Sequence, residues 1–259
     1  MSYRFSLDDN IFLFADLSEQ TYASLFDQPY LKFLRELHSE YGAKIQLNCY
    51  FETEGFCLRD MSGKYREEWE ENADWLRLSF HARKDDPPNP YAEADYQELY
   101  QDCNMVQEEI RRFAGEKTLD LYTTLHYCQA APEGVRALRD CGIKGLVGLF
   151  GTAEKPQSSY SLPEDVCRKI RETGRYYDPV QQMWFLNNDY VLNNFGRGEL
   201  QNALEKQKDQ EFFEVMIHEQ YFYHFTGLYQ ADFCEKVRDM ISWLVKKGHQ
   251  AVFLDDLLE

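Results

Sequence analysis

The feature that most constrains the fold of this 259-residue chain is the regular succession of strand-like and helix-like segments along it. Segments 3–9, 43–51 and 75–82 alternate apolar and polar residues, whereas 30–42 repeats leucine at helical spacing and ends at a glycine. Repeated strand-then-helix units predict an α/β chain, specifically a distorted (β/α) barrel of seven or eight units that forms one domain over residues 1–259. The alternative fold is an open doubly wound sheet.

The charge of the chain excludes several classes of partner. It has 28 Lys and Arg against 45 Asp and Glu, for a formal net charge of −17. Binding to a phosphate backbone or an anionic membrane requires basic residues. We therefore expect neutral or cationic ligands, such as a small molecule or a carbohydrate, and no nucleic acid or membrane partner.

The cysteines and the apolar segments favour a cytoplasmic location. The seven cysteines are dispersed without a CxxC pair, which is typical of reduced thiols. The first residues do not have the pattern of a secretion signal, and no apolar run approaches the roughly 20 residues that span a bilayer. Nothing in the sequence specifies an oligomeric state.

Polar side chains gather where predicted strands end. Asp8 and Asp9 end the first strand, His81 the third, and His126 and His218 lie near the ends of two later strands. Taken singly, an Asp pair is typical of a turn or a helix cap, and a strand histidine is typical of a core. Because catalytic groups of (β/α) barrels lie at the carboxyl ends of the strands, the five together predict a metal or acid–base site.

Three phrases that contain these residues, "FSLDD", "LSFHARKD" and "VMIHEQ", resemble the polysaccharide deacetylase family with its NodB homology domain, also known as carbohydrate esterase family 4. The whole chain is similar to a cytoplasmic branch of that superfamily. The resemblance implies a distorted (β/α) barrel and a divalent metal, commonly zinc. It also implies hydrolysis of an acetyl or similar acyl group on a carbohydrate or small molecule.

The resemblance also implies roles for single residues. Asp9 matches the metal-ligand aspartate, Asp8 the general base, His81 the first metal histidine and His218 the general acid. The second metal histidine of the family falls four residues after the first, where this chain has Asp85. A ligand set with a second carboxylate would favour oxygen-preferring ions such as manganese.

Three further residues are predicted to contact substrate or to complete the site. "LHYCQA" replaces the arginine-proline motif of the family, so His126 is predicted to be a substrate contact or an additional ligand. Trp184 lies in the region of the family's tryptophan motif, and Glu219 follows His218 directly. Both are predicted to bind substrate.

Two other functions stay open at this point. A metal-free glycosidase-type barrel would use paired carboxylates such as Asp8 and Glu219. A non-catalytic carbohydrate-binding relative would explain Asp85 and the missing arginine motif. The metal content of the purified protein separates both from a metal-dependent hydrolase.

Overall fold

The computed structural model describes residues 1–258, and Glu259, the last residue of the predicted domain, lies outside them. The described residues form twelve strands and nine α-helices. In chain order the strands are β1 (Ser2–Asn10), β2 (Ile45–Tyr50), β3 (Glu52–Thr53), β4 (Phe56–Cys57), β5 (Leu76–Ala82), β6 (Tyr122–Thr123), β7 (Gly145–Gly148), β8 (Arg175–Asp178), β9 (Met183–Asn187), β10 (Tyr190–Val191), β11 (Phe212–His218) and β12 (Gln250–Ala251).

The helices lie mostly between successive parallel strands, as the sequence pattern predicts. They are α1 (Phe12–Glu19), α2 (Pro29–Tyr41), α3 (Arg66–Glu71), α4 (Tyr96–Phe113), α5 (Pro132–Asp140), α6 (Glu164–Thr173), α7 (Arg197–Lys206), α8 (Phe233–Lys246) and α9 (Leu254–Leu258). Local signals explain several ends: α2 and α5 begin at a proline, and Gly42 ends α2 in the left-handed conformation.

Two mostly parallel sheets form the centre of this mixed α/β fold. The larger has the order β10-β11-β1-β2-β5, with β12 also paired to β1, and all its pairs are parallel. The smaller has the order β6-β7-β9-β8, in which only β8 is antiparallel. A short hairpin joins β3 to β4.

The edge strands β5 and β6 join the two sheets. Just before β6 begins, the Asp120 N–H donates to the Leu78 carbonyl of β5 at 2.8 Å. The chain passes from the smaller sheet to the larger between β9 and β10. There the Asp189 N–H donates to the Glu214 carbonyl at 2.9 Å, next to the pairing of β10 with β11. Residues at or just after the carboxyl ends of strands in both sheets line one cavity.

The strands of the larger sheet are buried on both faces but alternate in polarity. In β1, Tyr3, Phe5 and Leu7 join the apolar core with the helices, and each is at most 1% exposed. Arg4 and Asp8, on the opposite face, are equally buried. This differs from the continuous apolar runs that are typical of parallel strands. The second face is therefore a buried polar layer.

Three further segments whose sequence patterns predict strands, 118–130, 183–191 and 250–257, differ from the observed elements. Residues 250–257, predicted as a strand, form β12 followed by α9, whose first turn contains Asp255 and Asp256 at the favourable end of the helix dipole. The predicted strand 118–130 is reduced to β6, because Tyr127 and Cys128 adopt positive φ angles of 60° and 54°. The predicted strand 183–191 is divided into β9 and β10.

Among residues 1–258, none of the helices has both the length and the apolar character needed to cross a membrane.

Candidate metal centre

A bulge in β1 turns two adjacent carboxylates toward one cavity. Leu7 pairs with Leu47 of β2, but the next pair is Asn10 with Cys49, so β1 has one extra residue in this interval. Asp9 lies inside the bulge with φ 63°. Consecutive strand residues normally point to opposite faces, and a bulge re-aims a side chain. The sequence pattern predicts that the strand ends at Asp8 and Asp9; instead β1 continues through the bulge to Asn10.

His81, near the carboxyl end of β5, presents one ring nitrogen to Asp9. Its Nδ1 lies 2.5 Å from the Thr124 carbonyl oxygen, which can only accept a hydrogen bond, so Nδ1 is the protonated nitrogen. Its Nε2 lies 2.9 Å from Asp9 Oδ1. Nε2 is buried and has no hydrogen-bond partner of acceptable geometry. The lone pair of Nε2 is therefore available to a cation.

His126 brings a second imidazole to the same carboxylate. It lies in a short helical turn after β6, and the left-handed conformation of Tyr127 directs the chain there. His126 Nδ1 is 3.3 Å from Asp9 Oδ1. Asp9, His81 and His126 are all buried, and their ligand atoms lie within 4.8 Å of one another. These three residues are the group in the described chain best placed to hold a metal ion.

Asp85, predicted as the third ligand, does not belong to this buried group. Its side chain is 77% exposed in the loop after β5, and its Oδ1 contacts His126 Nε2 at 3.2 Å. In the buried group, His126, predicted to be a substrate contact or an additional ligand, occupies the third place, for which Asp85 is also predicted. Asp85 instead lies beside the imidazole at the edge of the site.

The charges of the triad stabilise one another. Burial alone would raise the pKa of Asp9, but the adjacent imidazoles of His126 and His81 hold this pKa well below its ordinary value. Burial opposes protonation of His81, yet Asp9 raises the pKa of this imidazole above its ordinary value. The centre therefore combines a carboxylate that stays ionised with two imidazoles held against it.

Two side chains that the sequence reasoning missed also hold Asp9. The Tyr50 hydroxyl, at the end of β2, donates to Asp9 Oδ1 at 2.5 Å and lies 2.9 Å from His126 Nδ1. Gln220 Nε2 donates to Asp9 Oδ2 at 2.6 Å. Burial and the charge of Asp9 raise the pKa of Tyr50 well above its ordinary value, so the hydroxyl keeps its proton. The position of Tyr50 at a strand end was the available sequence signal.

Asp8 and His218 are neighbours in the parallel register of β1 and β11. Asp8 Oδ1 accepts a hydrogen bond from Asn48 Nδ2 at 2.6 Å, whereas its buried Oδ2 has no partner. His218 Nδ1 lies 2.9 Å from the Asn193 side-chain oxygen, which leaves Nε2 unengaged by that contact. Both side chains line the same cavity as the triad, with a volume of about 420 Å³.

The structure does not bring Glu219 or Trp184 to this cavity. Both Glu219 oxygens accept hydrogen bonds at the start of α1, from the N–H groups of Ile11, Phe12 and Leu13 at 2.7–2.9 Å. Burial raises the pKa of the Glu219 carboxyl to about 8, and these three donors oppose the shift. Trp184 lies at the amino end of β9, whereas the triad lies at the carboxyl ends of the strands.

A second cavity of about 600 Å³ adjoins the first. Both are lined by Asp9, Asp85, Gln220 and Leu228. Of the three triad residues, Asp9 therefore borders both cavities.

The donor set fits a divalent cation. One carboxylate and two neutral imidazole nitrogens are ligands that zinc and neighbouring transition metals accept. The orphaned Nε2 of His81 and the hydrogen bond that fixes its tautomer are features of a metal-ligating histidine. Three protein ligands leave coordination positions open for water and substrate.

No protein-family model and no curated protein sequence matches the chain. Solved structures share its fold. The 4-alpha-glucanotransferase from Thermococcus litoralis has a TM-score of 0.63 and 12% identity over 98% of this chain, which spans only 39% of that protein. A family 4 acetyl xylan esterase from Clostridium thermocellum, in complex with a cobalt ion, has a TM-score of 0.55 and 10% identity over 99% of this chain and 90% of its own.

A peptidoglycan N-acetylglucosamine deacetylase has a TM-score of 0.50 and 11% identity over 97% of this chain and 85% of its own. At these identities the likeness establishes a common fold.

Proposed function

We propose that this chain is a metal-dependent hydrolase of the polysaccharide deacetylase superfamily, which removes an acetyl or similar acyl group from a carbohydrate or small molecule. The observation that carries the proposal is the buried triad of Asp9, His81 and His126 beside the unpartnered Oδ2 of Asp8. The names of two proteins of the same fold, an acetyl xylan esterase and an N-acetylglucosamine deacetylase, support the substrate class.

Asp9, His81 and His126 would hold the divalent cation, and zinc, cobalt and manganese are the ions to test. When bound, such a cation supplies Lewis acidity toward the acyl carbonyl and a water of lowered pKa. Asp85 contributes a carboxylate at the edge of the site, 3.2 Å from His126. Its exposure suits a contact with substrate.

The remaining side chains move protons. Asp8 Oδ2 accepts a proton from the attacking water as the water oxygen bonds to the acyl carbon. His218 Nε2 then donates a proton to the leaving oxygen or nitrogen as its bond to that carbon breaks. The products are a carboxylic acid, such as acetic acid, and the freed alcohol or amine. Asn193 orients His218 through Nδ1 for this donation.

A glycosidase-type or glycosyl-transfer reaction is the second candidate, because the 4-alpha-glucanotransferase has the higher TM-score of the structures named above. Such chemistry needs two carboxyl groups on either side of a sugar bond. Glu219, the proposed partner of Asp8, is fully buried and bonded to α1. The side chains around Asp8 therefore favour the metal-dependent hydrolase.

We also propose that the two sheets form one distorted (β/α) barrel in a single domain. The hydrogen bond from Asp120 to Leu78, which joins the sheets at β5 and β6, supports this closure. The proposed location is the cytoplasm, supported by the seven cysteines, which are all unpaired among the described residues.

Metal analysis together with acetate release tests the proposed function. The protein is purified without a metal-affinity tag, reloaded with zinc, cobalt or manganese, and assayed on N-acetylglucosamine oligomers and acetylated xylo-oligomers. We expect a stoichiometric ion in the wild type and its loss in Asp9→Asn and His126→Ala. Asp85→Asn is the matched control and should keep the ion. A His126→Ala variant with full metal content would overturn the ligand assignment, and a loaded wild type without acetate release would refute the hydrolase.

A further inference from the structure

The buried polar layer of the larger sheet leads directly to Asp8. Arg4, Ser6 and Asp8 of β1 point to one face, and Gln46 and Asn48 of β2 lie beside them. All five residues are 0% exposed. Buried polar groups are costly unless they are hydrogen-bonded, so their contacts reveal what the layer does.

Four of these side chains and Glu214 form one continuous hydrogen-bonded chain. Arg4 pairs with Glu214 of β11 through NH1, and its Nε donates to Gln46 Oε1 at 3.2 Å. Gln46 Nε2 donates to Asn48 Oδ1 at 2.7 Å. Asn48 Nδ2 donates to Asp8 Oδ1 at 2.6 Å. The chain thus runs from a buried ion pair to the proposed general base.

The arginine determines the direction of every bond in this chain. A guanidinium only donates, so the oxygen of Gln46 must face Arg4 and its nitrogen must face Asn48. The Tyr122 carbonyl, 2.6 Å from Gln46 Nε2, requires the same orientation. Asn48 then has to accept from Gln46 and to present its own NH2 group to Asp8. An inverted Asn48 amide would place two acceptors against each other.

This polarity leaves one oxygen of Asp8 for chemistry. Oδ1 is committed to Asn48, while Oδ2 is buried and unpartnered, and the Asp8 side chain lines the cavity. The amides of Gln46 and Asn48 are 0% exposed, so bulk solvent does not compete for these bonds. A buried ion pair such as Arg4–Glu214 is weak evidence for stability alone, because desolvation offsets its attraction.

We propose that Gln46 and Asn48, oriented by Arg4, are positioning residues that hold the Asp8 carboxylate with Oδ2 toward the substrate. The inference rests on the proposed role of Asp8 as general base. It adds residues that act through Asp8 and touch neither substrate nor metal.

The test uses Gln46→Met, two hydrogen bonds away from Asp8, in the metal-loaded full chain. Methionine has a similar shape but no donor for Asn48. We expect kcat for acetate release from N-acetylglucosamine oligomers to fall about tenfold, with KM and metal content unchanged. Ser6→Ala is the matched control, because Ser6 lies on the same buried face and its hydroxyl has no partner. Its kcat should stay within about twofold of the wild type, as for a substitution outside the chain of bonds.

A double-mutant cycle separates positioning from a general structural defect. In an Asp8→Asn background, Gln46→Met should cause no further loss of kcat, because the residue it acts through has been removed. Additive losses, or an unchanged kcat in Gln46→Met alone, would overturn the proposal. An Asp8→Asn variant with full activity would instead refute the role of Asp8 itself.

Side-chain amide exchange by NMR gives a readout that does not require turnover. The Asn48 NH2 protons should be protected in the wild type and in Ser6→Ala, and protection should fall in Gln46→Met. Rapid exchange of the Asn48 amide in the wild type would contradict the orientation argument whatever the activity. Asn48→Leu, which removes the donor directly, should lower kcat by about 10- to 100-fold and serves as a second variant if Gln46→Met does not fold.

Discussion

Asp9 adopts a left-handed backbone conformation, with φ 63°, that non-glycine residues seldom occupy. Such a conformation costs on the order of 1 kcal/mol or more and persists where surrounding contacts enforce it. Here Tyr50 and Gln220 each donate to one oxygen of Asp9. The strained backbone and the two hydrogen bonds together place Asp9 between His81 and His126.

Tyr50→Phe tests how much the hydroxyl contributes to this placement. Its loss leaves Asp9 Oδ1 without the 2.5 Å donor while the ring still packs. We expect the affinity for zinc to fall about tenfold, as for other residues that orient a metal ligand. Competition with a chromophoric chelator measures this affinity.

Tyr127→Phe is the appropriate control for Tyr50→Phe. The Tyr127 ring contacts His126 at a centroid distance of 4.4 Å, but the side chain is 53% exposed. Zinc affinity should be unchanged in this variant. Equal affinities of wild type and Tyr50→Phe would show that Gln220 and the bulge suffice to hold Asp9.

Helix α1 begins two residues after Asn10, and its first N–H groups bond to Glu219 from the end of β11. A helix start without such acceptors leaves buried donors unsatisfied. Above its pKa of about 8, the charge of the Glu219 carboxylate also suits the positive end of the helix dipole. Glu219 therefore ties the segment that follows Asp9 to the strand that carries His218.

Above pH 8, where the Glu219 carboxyl is ionised, Glu219→Gln should lower the free energy of unfolding by about 1–3 kcal/mol, because an amide cannot accept at both of its ends and leaves a buried donor unpaired. Chemical denaturation measures the change. Glu199→Gln is the control: Glu199 also bonds to a helix start, through Gly196, but is exposed and should contribute less. A Glu219→Gln loss no larger than that of Glu199→Gln would contradict the capping role.

Much of the fold across the whole molecule follows from the sequence pattern. Helix α2 was predictable from leucines at helical spacing and Gly42, and β5 from its alternation. The meeting of Asp9 with His81 was predictable because both lie at strand ends. The alternation of β1 also marks Arg4, Ser6 and Asp8 as one face, although it does not reveal that this face is buried.

Other features depend on contacts that one sequence does not encode locally. Tyr127 and Cys128 adopt left-handed conformations, but neither is the glycine that usually signals such a turn. The sequence therefore did not predict that the chain turns there and brings His126 into the site. Asp85 fitted a spacing four residues after His81, but its loop leaves it exposed. Glu219 followed a candidate catalytic residue, and only the fold shows that it bonds to α1.

The passage of the chain from one sheet to the other depends on Asp189. Asp189 Oδ2 accepts hydrogen bonds from the Glu214 N–H and from Gln210 Nε2, both at 2.9 Å. Burial raises the pKa of this carboxyl to about 7 from an ordinary value of 3.8, although the donors oppose the shift. The folded chain therefore holds a proton on Asp189 over a range of pH in which the unfolded chain has released it.

The sign of the resulting pH dependence follows from proton linkage. A group that binds protons more tightly in the folded state stabilises it fully below the unfolded pKa, and this contribution is lost as pH rises through the folded pKa. The free energy of unfolding of the wild type, relative to Asp189→Asn, should thus fall between pH 4 and pH 8. Because the side chain is partly accessible to solvent, we expect a fall of about 1–2 kcal/mol.

Urea denaturation of both proteins at several pH values measures this fall. Asp209→Asn, at an exposed position, is the control for loss of a negative charge. A difference that is constant with pH, or that grows as pH rises, would mean that the Gln210 and Glu214 donors keep Asp189 ionised in the folded protein.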